Sequence, residues 1–281
     1  MELQFDYVCI SVSSICNLEC EFCYRVASKN EFIKEQDFES LLSKLKQMGY
    51  KKINLTGGEP LLHPFINDFI KMAYAYGFFI ILSTNGMFLD LREPIYKLVN
   101  VIDIPLDGST SAINSHIRGE DQFKQINTIL SDYQNHNFPF VLKVNTVMTM
   151  YNYDDMINLA RVLCNKKIYW RVFFCRKYGK YNFIQDKNLI SPEMYLEKIN
   201  EIDNRFPDLL LLDACKRDVD DNLTYTMINS DGDFIISQGW IHEKVGNLFF
   251  LSAKELMTII EAKHYTIVEH RGKNYENKHE I

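Results

Sequence analysis

The chain has 281 residues, of which 47% are hydrophobic and 24% are charged, and this composition excludes a globally disordered protein. The formal net charge of −6, without an extended basic run, argues against general nucleic-acid binding but does not exclude a local phosphate pocket. No apolar stretch is long enough to cross a bilayer and no secretory signal is visible, so we expect no membrane association and a cytoplasmic location.

Residues 5–174 alternate short β-rich runs with amphipathic helical runs, which is the pattern of successive βα units. The predicted strands are residues 5–13, 52–55, 78–82, 101–105, 140–148 and 168–174. The predicted helices are residues 37–48, 64–76, 122–134 and 154–163. Six repeats predict an α/β fold, a partial (β/α)6 barrel of the TIM type, short of the eight repeats of a closed barrel. We therefore expect the functional residues at the carboxyl ends of the strands.

The alternation stops near residue 190, where a different pattern begins. Ser191 and Pro192 match an N-cap followed by a first helical residue, so a helix is expected there. Two β-rich runs around Ser230-Asp231-Gly232 predict a hairpin, and a capped final helix follows it. We therefore divide the chain into a barrel at residues 1–190, a C-terminal hairpin-and-helix extension at residues 191–262, and a polar tail at residues 263–281.

Three of the seven cysteines, Cys16, Cys20 and Cys23, follow the first predicted strand with the spacing Cys-x3-Cys-x2-Cys. An odd number of cysteines without a secretory signal argues against a disulfide framework. Thiolates are soft ligands, so three on one loop can bind an iron–sulfur cluster or part of a zinc site. A structural zinc needs a fourth ligand, and neither Cys9 nor His63 offers a paired spacing for it. We therefore favour a four-iron cluster with one open iron over zinc.

This cysteine loop resembles the signature of the radical S-adenosylmethionine (radical SAM) superfamily in the run Cys16-Asn17-Leu18-Glu19-Cys20-Glu21-Phe22-Cys23-Tyr24. The resemblance implies one [4Fe-4S] cluster held by the three cysteines, with S-adenosylmethionine bound at the remaining iron. It also implies reductive cleavage of S-adenosylmethionine to a 5′-deoxyadenosyl radical, which abstracts a hydrogen atom from the substrate. We expect the electron to come from an external flavodoxin- or ferredoxin-type reductant.

Residues farther along the chain resemble the cofactor-binding positions of the same superfamily. The loop Thr56-Gly57-Gly58-Glu59-Pro60 is similar to its glycine-rich loop, in which glycines let the backbone approach a ligand closely. Arg118 resembles an arginine that many members place against the cofactor carboxylate, a role suited to its fork of donors. The resemblance implies S-adenosylmethionine contacts from Gly57, Gly58, Glu59, Pro60, Ser83, Asn85, Asp107, Arg118 and Val147.

The substrate is implied by a resemblance within the superfamily. The run Lys143-Val144-Asn145-Thr146-Val147 and the segment around Arg171 resemble viperin-type enzymes and molybdenum-cofactor cyclases, which act on nucleoside triphosphates. Lys143 and Arg171 are therefore the expected substrate contacts, because triphosphates need basic partners. Tyr169 stands where the viperin pattern has a basic residue, so substrates other than triphosphates stay open.

The predicted hairpin resembles the auxiliary-cluster (SPASM or twitch) domain of peptide-modifying members. Ser237 stands where that domain has a cysteine ligand, so we expect a hairpin without a second cluster. The main expectation is a radical SAM enzyme acting on a small substrate such as a nucleotide, with modification of a ribosomally made peptide as the alternative. A non-catalytic iron–sulfur electron carrier is disfavoured, because it would need neither the glycine-rich loop nor an open iron.

Overall fold

The structure is a computed structural model that describes residues 6–25, 28–118, 122–177, 182–212, 215, 219, 224–238 and 241–263. Its strands are β1 (Tyr7–Ser13), β2 (Lys52–Gly57), β3 (Phe79–Ser83), β4 (Val101–Pro105), β5 (Val141–Met148), β6 (Tyr169–Phe174), β7 (Leu210–Leu211), β8 (Thr224–Ile228), β9 (Asp233–Gln238) and β10 (Ile241–Asn247). Its α-helices are α1 (Glu35–Gln47), α2 (Ile66–Ala75), α3 (Ser111–Arg118), α4 (Phe123–Asn135), α5 (Met156–Leu163), α6 (Pro192–Arg205) and α7 (Ala253–Ala262). None of these helices is both long enough and apolar enough to cross a membrane. Of the predicted tail, residues 264–281 lie outside the described residues.

The strands of the described residues form one sheet in the order β10-β9-β8-β1-β2-β3-β4-β5-β6-β7. Strands β1 to β6 pair in parallel, and they alternate with helices except between β3 and β4, where a 3-10 turn stands instead. This arrangement confirms the predicted α/β fold with a partial TIM-type barrel. Because the strands are parallel, the loops that follow them lie on one rim of the sheet.

The C-terminal hairpin extends the barrel sheet. Strand β8 pairs in parallel with β1, with Val8 opposite Thr226 and Ile10 opposite Ile228. Strands β9 and β10 then continue the sheet in antiparallel fashion. The predicted hairpin is therefore confirmed, whereas the division of the chain at residue 190 stays a prediction.

Hydrophobic spacing and caps account for the elements that the sequence predicts. Helix α1 buries Phe38, Leu41, Leu42 and Leu45, which lie on one helix face. At α6 the Ser191 side chain accepts a hydrogen bond from a backbone N–H of the first turn, and α7 begins with a capping box. Both predicted N-caps are confirmed.

Some elements differ from the sequence expectation, and the short strand β7 is one that was not predicted. Helix α2 begins at Ile66 and not at residue 64, because the chain first makes a 3-10 turn at Pro60–Leu62. Helix α3 was not predicted because its buried face carries the polar side chains of Asn114 and Arg118. Strand β10 was not predicted because an irregularity in its pairing before Gly246 interrupts the alternation of residues between the two faces of the sheet.

Candidate functional site

A cavity of about 290 Å³ opens at the carboxyl ends of the barrel strands and extends into the barrel interior. The three loop cysteines line it together with most of the other predicted site residues, namely Gly57, Gly58, Ser83, Asn85, Arg118, Lys143, Val147 and Arg171. Glu59, Pro60 and Asp107 are buried and lie outside this lining. The structure therefore brings most of the residues expected to bind the cofactor, and both of those expected to bind the substrate, to one cavity.

The cysteine loop is closed at its base by backbone hydrogen bonding between Ile33 N and Val12 O, at 3.0 Å. Within the loop, Cys23 N donates to Cys20 O at 3.1 Å, which fixes a turn between these two ligands. Cys16, Cys20 and Cys23 are half-buried, and none of them forms a disulfide. All three thiols therefore face the cavity from one fixed loop.

Two side-chain N–H groups point at the sulfur atoms. Asn85 Nδ2 lies 3.8 Å from Cys16 Sγ, and Arg118 Nη1 lies 3.8 Å from Cys20 Sγ. The backbone N–H of Leu18 donates to Cys16 Sγ at 3.4 Å. Burial raises the pKa of the Cys16 and Cys20 thiols, while these N–H groups favour the thiolate. Since metals bind thiolates, the donors stabilise the form of the sulfur that a cluster needs.

The cysteine set fits an iron–sulfur cluster better than a single metal ion. Within the described ranges, no three Cys, His, Asp or Glu side chains converge closely enough to hold one ion. A zinc site needs four ligands around one ion, with sulfur at about 2.3 Å. In a four-iron cluster each cysteine binds a different iron, so three separated sulfurs suffice and one iron keeps an open position. Cys16, Cys20 and Cys23 are the residues that would hold such a cluster.

The two glycines at the end of β2, Gly57 and Gly58, are required by contact with the start of the cysteine loop. A Cβ atom on Gly57, whose φ is +143°, would lie 2.1 Å from Ser13 O, and one on Gly58 would lie 2.0 Å from Ile15 O. Gly58 N donates to Ser13 O at 2.6 Å, and Glu59 N donates to Ile15 O at 2.8 Å. We expected the glycines to admit a ligand, and the structure shows that they admit the backbone that leads into the cysteines.

Glu59 is fully buried and joins this glycine-rich loop to the loop after β3. Its Oε1 atom accepts hydrogen bonds from Leu61 N at 2.9 Å and from Thr84 Oγ1 at 2.7 Å. Its Oε2 atom accepts from Asn85 N at 2.6 Å. Burial raises the pKa of the Glu59 carboxyl, and these three donors act in the opposite direction. The carboxylate therefore positions Asn85 beside the cysteines while lying outside the cavity lining.

Asp107 is also fully buried, and it holds Arg118 in the cavity wall. Asp107 Oδ2 accepts from Arg118 Nε at 2.5 Å, and Oδ1 accepts from Val147 N at 2.7 Å. The Arg118 guanidinium also lies 5.4 Å from the centre of the Phe22 ring. Because these contacts fix the guanidinium in orientation, it is prepared to bind an anionic group in the cavity.

Asp103, Asn54 and Tyr7 also line the cavity, and none of these three polar residues was predicted from the sequence. Lys143 Nζ lies 2.7 Å from Asp103 Oδ2, and Ser83 Oγ lies 3.1 Å from the same oxygen. Ser83 Oγ also lies 2.9 Å from Asn54 Oδ1, and Asn54 Nδ2 donates to Tyr7 Oη at 3.0 Å. The available signal was strand alternation, because Asp103 stands between Ile102 and Ile104 within the predicted strand.

Positive charge is concentrated in this cavity. Five cationic side chains among the described residues line it, namely Arg25, Arg118, Lys143, Arg171 and Arg176; the carboxylate of Asp103 lies in the same lining, and that of Asp107 lies outside it against Arg118. The whole chain carries a net charge of −6, so this excess is local. A concave site with an excess of cations attracts anionic ligands.

The chain matches the model of the Radical SAM superfamily over residues 10–163, which is more than half of its length. It is 34% identical over 176 residues to a GTP 3',8-cyclase from Helicobacter pylori (strain HPAG1), covering 58% of this chain and 53% of that protein. It is 28% identical over 243 residues to an S-adenosylmethionine-dependent nucleotide dehydratase from Flammeovirga pacifica, covering 79% of each. The chain thus spans about half the length of the cyclases that it matches.

Solved structures show the same fold. Streptococcus suis SuiB bound to its precursor peptide SuiA matches with a TM-score of 0.70 at 17% identity, covering 89% of this chain and 64% of SuiB. Native anSMEcpe with bound AdoMet and Cp18Cys peptide matches with a TM-score of 0.69 at 18% identity, covering 89% of this chain and 79% of that one. The chain belongs to the radical SAM superfamily, whose members use a [4Fe-4S] cluster and S-adenosylmethionine.

Proposed function

We propose that this protein is a radical SAM enzyme that cleaves S-adenosylmethionine reductively and abstracts a hydrogen atom from a small anionic substrate, with nucleotides as the substrate class. The observation that carries the proposal is one cavity that holds both the cysteine loop and five cationic side chains in an acidic chain. The names of two relatives, a GTP 3',8-cyclase and a nucleotide dehydratase, support a nucleotide.

Binding and cleavage of the cofactor would depend on the part of the cavity that the cysteine loop lines. Cys16, Cys20 and Cys23 would hold the cluster, which, when bound, supplies the electron that breaks a carbon–sulfur bond of S-adenosylmethionine. Asn85 and Arg118 direct N–H groups at two of the sulfurs, and such contacts tune the reduction potential of a cluster. Arg118 presents a fork of donors that suits the carboxylate of the cofactor.

Substrate binding would depend on two arginines whose guanidinium groups lie against aromatic rings. The Arg171 guanidinium lies 4.8 Å from the centre of the Phe173 ring, and that of Arg176 lies 5.5 Å from the centre of the Phe174 ring. The rings hold the guanidinium groups and line the cavity with apolar surface. Because water is displaced from such a surface, the attraction between the arginines and an anionic substrate is stronger than in bulk water.

The proposal includes partners. An external one-electron donor of the flavodoxin or ferredoxin type reduces the cluster. General nucleic-acid binding is not part of the proposal, because the chain has a net charge of −6 and its sequence contains no extended basic run. A peptide substrate is the competing interpretation; the likeness to SuiB and anSMEcpe concerns the fold and does not decide it.

The test is an anaerobic assay of the protein reconstituted with iron and sulfide. S-adenosylmethionine and dithionite are added, and 5′-deoxyadenosine is quantified with and without each nucleoside triphosphate. We expect product from the wild type and from Cys164→Ala, since Cys164 lies outside the cavity lining, and none from Cys20→Ala. Stimulation by one triphosphate supports the nucleotide substrate.

Two results would contradict the proposal at different levels. Product formation that no triphosphate stimulates would move a peptide substrate ahead of nucleotides. A wild-type protein with a spectroscopically intact cluster and no 5′-deoxyadenosine would instead support the electron-carrier function.

A further inference from the structure

The floor of the cavity is built around the buried pair of Asp103 on β4 and Lys143 on β5. Asp103 is 4% exposed and lines the cavity. Its Oδ2 atom lies 2.7 Å from Lys143 Nζ and 3.1 Å from Ser83 Oγ. Because Asp103 stands directly opposite Lys143 in the parallel register, the sheet itself fixes the pair.

The other carboxylate oxygen, Asp103 Oδ1, is buried, and no residue of the described ranges donates a hydrogen bond to it. A buried charged acceptor without a donor is costly, and native proteins keep few of them without a ligand or a function. Since Asp103 lines the cavity, a molecule bound there can supply the missing donor.

The charge of Lys143 is offset within the same pair. A phosphate placed at the floor would meet the carboxylate of Asp103 as well as the ammonium group, so the pair offers an anion little net attraction. Arg171 and Arg176 line the cavity nearer the carboxyl end of β6, with Arg171 opposite Asn145, two residues beyond Lys143 on β5. The floor is thus close to neutral, and further cationic side chains lie above it.

We propose that Asp103 is a specificity-determining residue whose Oδ1 atom accepts a hydrogen bond from an uncharged N–H or O–H group of the substrate, such as a base amino group or a sugar hydroxyl. The anionic part of the substrate lies toward Arg171 and Arg176. A cationic donor is disfavoured by the ammonium group of Lys143 beside the site. This inference rests on the proposed nucleotide substrate and adds which end of it faces the floor.

The first test measures nucleotide binding by anaerobic isothermal titration calorimetry, with reconstituted protein that already holds S-adenosylmethionine. CTP is compared with the triphosphate of zebularine, ATP with the triphosphate of purine riboside, and CTP with 2′-deoxy-CTP, because the second member of each pair lacks one donor group of the first. In at least one pair the donor-bearing nucleotide should bind about tenfold more tightly. Asp103→Asn places an amide N–H there and should bring that ratio close to one.

An unchanged ratio in Asp103→Asn, or no discrimination in any pair by the wild type, overturns the role of Asp103 and leaves the nucleotide substrate intact. If the wild type binds none of these nucleotides, the proposed substrate class is wrong, and this inference fails with it. Circular dichroism verifies that each variant is folded.

A second test uses inorganic tripolyphosphate as the probe of the charge argument. Removal of the whole pair in Asp103→Asn/Lys143→Met should leave its affinity within about twofold, whereas Arg171→Met should lower it about tenfold. Asp103→Asn alone removes the carboxylate that offsets the charge of Lys143 and should raise the affinity about tenfold. If the double variant loses as much affinity as Arg171→Met, Lys143 binds the phosphates and the proposal is wrong.

Discussion

Two buried carboxylates, Glu59 and Asp107, hold residues of the cavity wall without lining the cavity themselves. Glu59 accepts from Asn85 N, and Asp107 accepts from Arg118 Nε and Val147 N. In the sequence both stand in motifs that resemble cofactor-binding positions, and the geometry gives them a positioning role. Such residues fix the groups that meet a ligand, so their contribution to binding is indirect.

We expect Arg118→Lys to lower stability and to weaken S-adenosylmethionine binding, although the positive charge is kept. A lysine cannot contact Asp107 and Cys20 at the same time, so the buried carboxylate loses a well-oriented donor. The free energy of unfolding should fall by about 1.5–3 kcal/mol, and the affinity for S-adenosylmethionine about tenfold. Chemical denaturation and titration calorimetry of the reconstituted protein measure the two effects.

The control for this variant is Arg161→Lys, which changes an exposed arginine that pairs with Asn158 at the surface. It should shift the free energy of unfolding by less than about 0.5 kcal/mol. Equal effects of the two substitutions would show that the Asp107–Arg118 pair has no special role.

At the scale of elements, the contact between the glycine-rich loop and the cysteine loop predicts a large effect of Gly58→Ala. The new Cβ atom would lie 2.0 Å from Ile15 O, so the two backbones must separate and the segment before Cys16 must shift. We expect poor iron incorporation and a lower melting temperature. Gly49→Ala is the control, because a Cβ atom there has no neighbour within 4 Å; it carries the strain of a positive φ of +89° without the clash. Equal iron contents in the two variants would contradict the prediction.

The same elements show which parts of the fold and of the site can be predicted from the sequence. The βα alternation predicts β1 to β6 because each strand is a short apolar run bounded by helical or turn segments, and the cysteine spacing predicts the ligand loop. Helix α3 is missed because Asn114 and Arg118, two of its buried residues, are polar. The partners of Glu59 and Asp103 are missed because each comes from another strand or loop, and register between strands is not visible in one sequence.

At the scale of the whole molecule, the C-terminal extension contacts the cysteine loop through the turn of its hairpin. Asp231 Oδ2 accepts from Lys29 N, and Asp231 Oδ1 accepts from Asn30 N, both at 2.8 Å. Ser230 Oγ lies 2.6 Å from Asn30 O. Residues about two hundred positions apart thus fix the end of the loop that carries the ligands, so the extension supports the site without contributing a cysteine to it.

This contact predicts a pH-dependent term in the stability of the protein. Partial burial raises the pKa of the Asp231 carboxyl, but the N–H groups of Lys29 and Asn30 together hold it below its ordinary value of 3.8. A carboxyl with a lowered pKa stabilises the fold above its unfolded pKa and loses that contribution as the pH falls through the folded pKa. The wild-type melting temperature should therefore fall more steeply than that of Asp231→Asn below about pH 5. Thermal melts across this range provide the measurement, with the exposed Asp208→Asn as the control, which should retain the wild-type slope. If Asp231→Asn kept the wild-type slope as well, the hairpin turn would not be an electrostatic support of the cysteine loop.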